Sequence, residues 1–520
     1  MQVVAELNDS RPFSRVLVAN RGEIAVRIIR ACRELGMDSV AVYSDPDRHA
    51  GHVRAADVAV RLGPAPASQS YLAANAIVEA ALATGAQAIH PGYGFLAERA
   101  SFAAAVESAG LTFVGPDSRT IAAIGDKLAG RRIARSVDVP VVPGTLEPAA
   151  VSRPEALAGI IAAAEEIGYP LLVKAAAGGG GRGMRRVGRS EDLAVALLAA
   201  SEEAQSAFGD GSVYLEREIR PARHIEVQLL GDAAGRVVAL GERDCSIQRR
   251  HQKLVEEAPA VGLSEAGRKD LHAMAVRIAS AVGLTNAATA EFLYGPDGSF
   301  WFLEVNARIQ VEHGVTELVS GLDIVHEQFW LAAGAPLSAG AISAAERAAS
   351  PGGHAIEVRI SLEDPARAFT PLAGRVGRFR MAAGPGVRVD TALEPGERVP
   401  PDYDPLVAKL MVHAADRPAA IDRLRRALDE TEIDGVQTTL PFHRFVAASA
   451  AFRAGDLSTD FVETYWDGPM ARRAAVHQAL LAAGLAAFES IPTPALLADQ
   501  PAGLGWPAAA RAEAIDRWPR

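Results

Sequence analysis

Thr289-Ala290-Glu291-Phe292-Leu293-Tyr294-Gly295-Pro296-Asp297-Gly298-Ser299-Phe300-Trp301-Phe302-Leu303-Glu304-Val305-Asn306 spells out a hairpin. Two apolar runs, Thr289 to Tyr294 and Ser299 to Asn306, flank Gly295-Pro296-Asp297-Gly298, a strong turn signal. Pairing Tyr294 with Ser299 sets Glu291 opposite Phe302. Glu304 and Asn306 then continue on the Phe302 face, because strand side chains alternate with period two. Glu291, Glu304 and Asn306 are therefore expected to converge. Three hard oxygen ligands without His or Cys suit Mg²⁺ or Mn²⁺, above all an ion already carrying phosphate oxygens. A solvated strand edge with incidental acids is the alternative, and the large apolar neighbours Phe292 and Leu303 argue against it.

Immediately downstream runs Ala307-Arg308-Ile309-Gln310-Val311-Glu312-His313. If the extended conformation continues, Arg308, Gln310 and Glu312 share a face, with a forked cation and a carboxylate in reach of one small anion. A base-and-clamp pair and a plain surface ion pair both fit this pattern. Upstream, Lys174-Ala175-Ala176-Ala177-Gly178-Gly179-Gly180-Gly181-Arg182-Gly183 follows a strand-like run from Pro170. Consecutive glycines, Gly180 and Gly181 among them, let backbone N–H groups approach phosphate oxygens and let the loop move as a lid. No Gly-Lys-Ser/Thr follows, so this is not a Walker A loop, and the lysine that precedes it speaks against a mere linker.

At the amino-terminal end, Val16 to Ala19 is a short strand, Gly22 to Gly36 a helix with Ala25, Ile28, Ile29, Cys32 and Leu35 at helical spacing, and Ser39 to Tyr43 a second strand. The alternation repeats to about Gly115 and predicts a parallel sheet covered by helices. Gly-x-Gly-x-x-Gly is missing after the first strand, so a dinucleotide role is unsupported. Gly334 to Gly353 is rich in Gly, Ala and Ser and is expected to be a linker. From His354 to about Tyr465 strands come first and a helix, Pro418 to Glu430, later; an alanine-rich helix follows Asp467.

Only five of the 53 basic residues are lysine: Lys127, Lys174, Lys253, Lys269 and Lys409. Four of them, Lys127, Lys174, Lys253 and Lys409, lie in unusual settings, and where arginine has replaced lysine so widely these mark sites that need a compact ammonium rather than a planar fork. The formal charge of −10 argues against a nucleic-acid surface. No secretory signal or run of about 20 apolar residues is present, so a cytoplasmic protein with no membrane partner is expected. Two cysteines, Cys32 and Cys245, are too few for a disulfide framework or a zinc site and are expected to be buried.

Several motifs together resemble biotin carboxylase, the ATP-grasp component of biotin-dependent carboxylases. They are Val18-Ala19-Asn20-Arg21-Gly22-Glu23-Ile24-Ala25, His90-Pro91-Gly92-Tyr93-Gly94-Phe95-Leu96, the glycine loop, Glu242-Arg243-Asp244-Cys245-Ser246-Ile247-Gln248-Arg249-Arg250-His251-Gln252-Lys253, and Glu304 through His313. The likeness spans roughly Ser14 to Tyr465 in the family's order. It implies a three-part α/β ATP-grasp architecture. A Rossmann-like amino-terminal domain (14–125) precedes an ATP-grasp domain (126–335) with a mobile lid at about 146–218. A carboxy-terminal α+β domain (354–465) and a tail of unassigned role (467–520) complete the chain.

The resemblance also implies roles. Lys127, Lys174, Glu216, His224, Gln248 and His251 match positions around ATP, and Glu291, Glu304 and Asn306 match metal-binding positions for Mg²⁺ or Mn²⁺. Lys253, Arg308, Gln310 and Val311 match the bicarbonate pocket, Glu312 the base that deprotonates bicarbonate, and Arg359 the group that stabilises the biotin enolate. Arg30 and Glu34 match a dimer interface, so a homodimer is expected. The reaction implied is ATP-dependent carboxylation of biotin through carboxyphosphate, the first half-reaction of an acetyl-CoA or other acyl-CoA carboxylase. Biotin is carried in this family on a lysine, normally within Ala-Met-Lys-Met. None of the seven methionines here precedes lysine, and no lysine follows Lys409. The biotin is therefore expected on a separate biotin carboxyl carrier protein or biotinyl subunit, with a carboxyltransferase as further partner. Departures from the family pattern are Ala176-Ala177 for Ser-Gly, Leu96-Ala97-Glu98-Arg99 without the usual Ser and Asn, and Gly314 for proline. None removes a proposed catalytic group. A different ATP-grasp ligase and a non-catalytic scaffold are the rival readings; Arg359 with Arg308 and Glu312 speaks against the first, the retained lysines and acids against the second.

Overall fold

Five parallel strands form the amino-terminal sheet of the computed structural model, in the order Val58–Gly63, Asp38–Ser44, Arg15–Val18, Ala88–His90, Thr112–Phe113. The structure describes residues 11–151, 153–176 and 184–489, in two units that divide between Trp466 and Asp467. Helix Gly22–Glu34 buries Ala25, Ile28, Ile29 and Cys32, four of the five positions that its 3.6-residue spacing foretold; Leu35 falls at the C-cap and is half-buried. Gly22 has φ +67°, which turns the chain from strand into helix where a side chain would be strained.

Eight antiparallel strands make the second sheet: Phe300–Asn306, Asn286–Tyr294, Arg223–Gly231, Val237–Arg249, Gln252–Ala258, His354–Ser361, Leu406–Ala414 and Val387–Thr391. The expectation of separate second and third regions misses this continuity. Strand Gln252–Ala258 pairs with His354–Ser361, Val255 opposite Val358 and Glu256 opposite Glu357, so both regions share one sheet. Ile247, Leu254, Val255, Ile356, Val358 and Ile360 form one apolar cluster across the join. A smaller sheet, Arg185–Val187, Leu171–Ala175 and Val213–Arg217, carries helices Pro154–Ile167 and Ser190–Phe208 over its own apolar cluster.

The expected linker Gly334 to Gly353 instead contains helix Ala339–Arg347. Leu337, Ala341 and Ala344 are buried beside Leu240, and Ser338 caps the helix by accepting from the Ala341 N–H (3.0 Å). Its apolar stripe is built of alanine, which hides the period in a small-residue sequence. Beyond the division lies helix Gly468–Glu489, on which Met470, Val476, Leu480, Leu481 and Leu485 are exposed. Among the described residues no helix is long and apolar enough to cross a membrane.

Candidate active site

The hairpin of strands Asn286–Tyr294 and Phe300–Asn306 has a different register from the expected one. Tyr294 pairs with Phe300 and Phe292 with Phe302, and an irregularity at Leu303 then sets Glu291 opposite Glu304. Ser299 belongs to the turn: its carbonyl accepts from Gly295 N–H (2.9 Å) and its own N–H donates to Asp297 Oδ1 (3.1 Å). Phe292 and Phe302 face the core with ring centroids 5.8 Å apart, so Glu304 does not share the Phe302 face. The bulge adds the residue that turns Glu304 and Asn306 to the Glu291 side. Asn306 Nδ2 donates to Glu291 Oε1 at 2.9 Å, and Glu304 Oε2 lies 3.4 Å from Lys127 Nζ.

Past Asn306 the chain leaves extended conformation and turns at Val311–Glu312 into helix His313–Ser320. The expected common strand face for Arg308, Gln310 and Glu312 is therefore absent. Arg308 instead donates to Gln310 Oε1 (2.7 Å) and Asn306 Oδ1 (3.0 Å) and pairs with Glu98 (3.0 Å). Glu312, at the helix N-cap and fully buried, accepts from Lys253 Nζ (2.7 Å) at one oxygen and from Arg359 Nη2 (2.9 Å) at the other. Burial disfavours its charge, but Lys253, Arg359 and Arg243 outweigh burial and hold its carboxyl well below the usual range.

Lys253 is a shared ammonium. It donates to Glu226, to Glu291 (3.0 Å) and to Glu312, and these three carboxylates overcome its burial and keep it protonated. It stands just after the two-residue hairpin loop Arg250-His251, both residues with positive φ, that joins Arg249 to Gln252. Gln248 and His251 are thus presented from one tight turn. Arg359 Nε donates to Glu256 Oε1 (2.6 Å); burial, with Glu312 adding, pushes the Glu256 carboxyl up to about 7 despite Arg359.

At the other end of the site, Glu216 is buried and accepts from Arg131 Nη1 (2.5 Å) and from Lys174. Burial and the nearby Lys174 lower His251 below its usual range, which favours the neutral imidazole. His224 Nε2 is 3.2 Å from Glu291 Oε2. Gly180 and Gly181, with the rest of the glycine loop from Ala177 to Gly183, lie outside the described residues.

All the other expected site residues line one cleft of about 1320 Å³: Lys127, Lys174, Glu216, His224, Gln248, His251, Lys253, Glu291, Glu304, Asn306, Arg308, Gln310, Val311, Glu312 and Arg359. Six strands of the long sheet supply seven of these residues, which is why the join between Gln252–Ala258 and His354–Ser361 matters: it delivers Arg359 to Glu312. Sequence reasoning missed Arg131, Glu226, Glu256 and Glu98, which pair with Glu216, Lys253, Arg359 and Arg308, and Arg243, which pairs with Glu226 and adds positive charge near Glu312. Their signal was available in part, since Glu226 interrupts the apolar run Ile225 to Leu230 and Glu256 follows Leu254 and Val255. A carboxylate in a buried strand requires a cation.

Comparison with known proteins settles the relationship. Residues 12–121 match the family described as biotin carboxylase, N-terminal domain. Residues 126–340 match carbamoyl-phosphate synthase L chain, ATP binding domain, and 357–464 match biotin carboxylase C-terminal domain. The chain belongs to the biotin carboxylase family. The biotin carboxylase of Pseudomonas aeruginosa is 47% identical over 451 residues, covering 87% of this chain and 98% of that one. A pyruvate carboxylase subunit of Methanothermobacter thermautotrophicus is 46% identical, covering 88% and 91%. The crystal structure of a Campylobacter jejuni biotin carboxylase–β,γ-ATP complex superposes with TM-score 0.83 at 41% identity, covering 87% of this chain and 99% of that one. The biotin carboxylase domain dimer of Hydrogenobacter thermophilus 2-oxoglutarate carboxylase, solved with MgADP, ADP and bicarbonate, gives 0.82 at 44%, covering 87% and 97%. Biotin carboxylase architecture with an ATP-grasp domain is therefore the fold, and the chain is an ATP-grasp ligase, a carboxylase enzyme.

Proposed function

We propose that the chain carboxylates biotin held on a separate carrier, using ATP and bicarbonate, as the first half-reaction of an acetyl-CoA or other acyl-CoA carboxylase. The observation that carries this reading is Glu312. It is an ionised, fully buried carboxylate pinned by Lys253 and Arg359. It shares Lys253 with Glu291 in a cleft that also takes in Lys174 and Lys127. Bicarbonate beside Glu312 loses its proton to that carboxylate, and its oxygen attacks the γ-phosphorus of ATP while the bond to ADP breaks. The resulting carboxyphosphate divides into CO₂ and phosphate. Phosphate takes the ureido proton of biotin, the enolate charge is held by Arg359, and the nitrogen captures CO₂. Lys253, Arg308, Gln310 and the Val311 backbone position the bicarbonate; Lys127, Lys174, Glu216, His224, Gln248, His251 and the Gly180-Gly181 loop hold the nucleotide. Catalysis by this set is positioning and charge stabilisation.

Glu291, Glu304 and Asn306 would hold Mg²⁺ or Mn²⁺, since the bulged hairpin gathers two carboxylates and an amide oxygen, the hard donors such an ion takes. When bound, the ion neutralises charge on the phosphates. We divide the chain at 14–125, 126–335 and 354–465, with the lid at about 146–218 and a tail at 467–520. Acyl-CoA as final acceptor is supported by the biotin-dependent acyl-coenzyme A carboxylase alpha3 subunit of Mycobacterium leprae, 47% identical over 457 residues, against which stands the pyruvate carboxylase relative at 46%. A carrier protein, a carboxyltransferase and a cytoplasmic location belong to the same reading, as does a homodimer. Arg30 and Glu34 are exposed on helix Gly22–Glu34, and the Hydrogenobacter domain is a dimer.

Two substitutions test the assignment. Glu312→Gln should cut turnover of bicarbonate-dependent ATP cleavage, stimulated by free biotin, while ADP affinity holds; Lys174→Gln should chiefly weaken nucleotide binding. Full turnover in Glu312→Gln would remove the base.

A further inference from the structure

Lys409 is the one retained lysine in an unusual setting that the proposed reaction leaves without work. It sits mid-strand in Leu406–Ala414 and is fully buried. Its ammonium donates to the Val311 carbonyl (2.8 Å) and lies 3.3 Å from Glu23 Oε2 and 3.6 Å from Asp390 Oδ2. Glu23 comes from the first turn of helix Gly22–Glu34, where Tyr93 also donates to it, and Asp390 from the strand paired with Lys409. One cation thus ties the amino-terminal domain and the outer strand of the long sheet to the loop that ends in Glu312. Across the sheet on the other side, Lys409 pairs with Arg359, whose guanidinium holds Glu312.

The Val311 carbonyl and the Glu312 N–H are one planar peptide unit, so fixing the carbonyl fixes the backbone from which the Glu312 side chain leaves. We propose that Lys409 is a positioning residue for the bicarbonate half of the site, acting through the Val311–Glu312 peptide. This rests on the functional reading above. Arginine would not serve as well, since a single carbonyl oxygen and two flanking carboxylates surround a point charge. The next residue on the same strand face, Met411, lies against Gly314 in the same turn, so two side chains of one strand underlie the loop.

Lys409→Met keeps the stem and removes the ammonium. It should raise the KM for bicarbonate and lower kcat about tenfold or more each, the scale of a lost charge-assisted hydrogen bond, with ADP affinity by calorimetry within about twofold of wild type. It also strands Glu23 beside Asp390, so the melting temperature should fall. In Lys409→Met/Glu23→Gln one of those carboxylates is neutral; the melting temperature should recover while the bicarbonate KM stays high. A double variant with wild-type KM and kcat for bicarbonate, parallel loss of ADP binding, or failure of both variants to fold would overturn the proposal and leave Lys409 a structural ion. Wild-type protein without bicarbonate-dependent ATP cleavage would instead remove the functional reading, and this proposal with it.

Discussion

Gly314→Ala gives a sharp test of how the catalytic turn is packed. Gly314 is the second residue of helix His313–Ser320, where alanine in place of glycine should stabilise by at most about 1 kcal/mol, the value for a helix interior. A Cβ there, however, would overlap the Met411 Sδ and stand 3.4 Å from Met411 Cε and 3.5 Å from Glu357 Oε2. Met411 is fully buried among Ala258, Val315 and Ala355, so its thioether can move only by displacing packed neighbours. Overpacking of this kind costs about 1–3 kcal/mol and outweighs the helix term. In a Met411→Ala background, itself destabilised by about 2–5 kcal/mol, the obstacle is gone and the helix term stands alone. Gly314→Ala should therefore lower the melting temperature of the wild-type chain and raise that of Met411→Ala, a coupling of about 1–3 kcal/mol between touching residues. Four melts measure it. The same sign in both backgrounds would refute the packing argument.

Glu291→Gln and Glu304→Gln should each abolish Mg²⁺-dependent ATP cleavage with melting temperatures near wild type; near-normal activity in both would sink the metal assignment. Glu363 carries a pH effect. It is 3% exposed, and burial, with Asp404 adding and Arg249 opposing, pushes its carboxyl up to about 7. A raised carboxyl contributes stability that is whole below the unfolded value near 4.5 and is lost as pH rises through about 7, here at most about 3 kcal/mol. Glu363→Gln should match wild type in thermal melts at pH 5 and melt higher at pH 8; an equal difference at both pH values would contradict this.

Periodicity was enough to read the amino-terminal sheet and its first helix, because both faces of Arg15–Val18 are buried and the helix stripe is made of large side chains. It failed where side chains are small, as in helix Ala339–Arg347, and where a residue count decides geometry. The hairpin shows why. The convergence of Glu291, Glu304 and Asn306 was legible, yet it arises from a turn that takes in Ser299 and a bulge at Leu303, two changes no alternation rule contains. Arg359 and Glu312 are 47 residues apart and meet at 2.9 Å only because strand His354–Ser361 joins the ATP-grasp sheet. Motif resemblance named both residues, but the charge network around them, from Glu226 through Lys253 to Glu256, needed strand order. Lys409 was conspicuous by composition, and its partners from three distant segments became visible only in the fold.

In the proposed reaction bicarbonate, held beside Glu312, is the nucleophile that cleaves ATP. Incubating the purified chain with Mg²⁺-ATP, free biotin and [¹⁸O]bicarbonate, then analysing the released phosphate by mass spectrometry, tests it at the reacting atom. The mechanism leaves one bicarbonate oxygen on phosphorus, so each phosphate should carry one ¹⁸O from labelled bicarbonate, and the label should vanish with activity in Glu312→Gln. Phosphate released without label would show that water is the nucleophile and contradict the account.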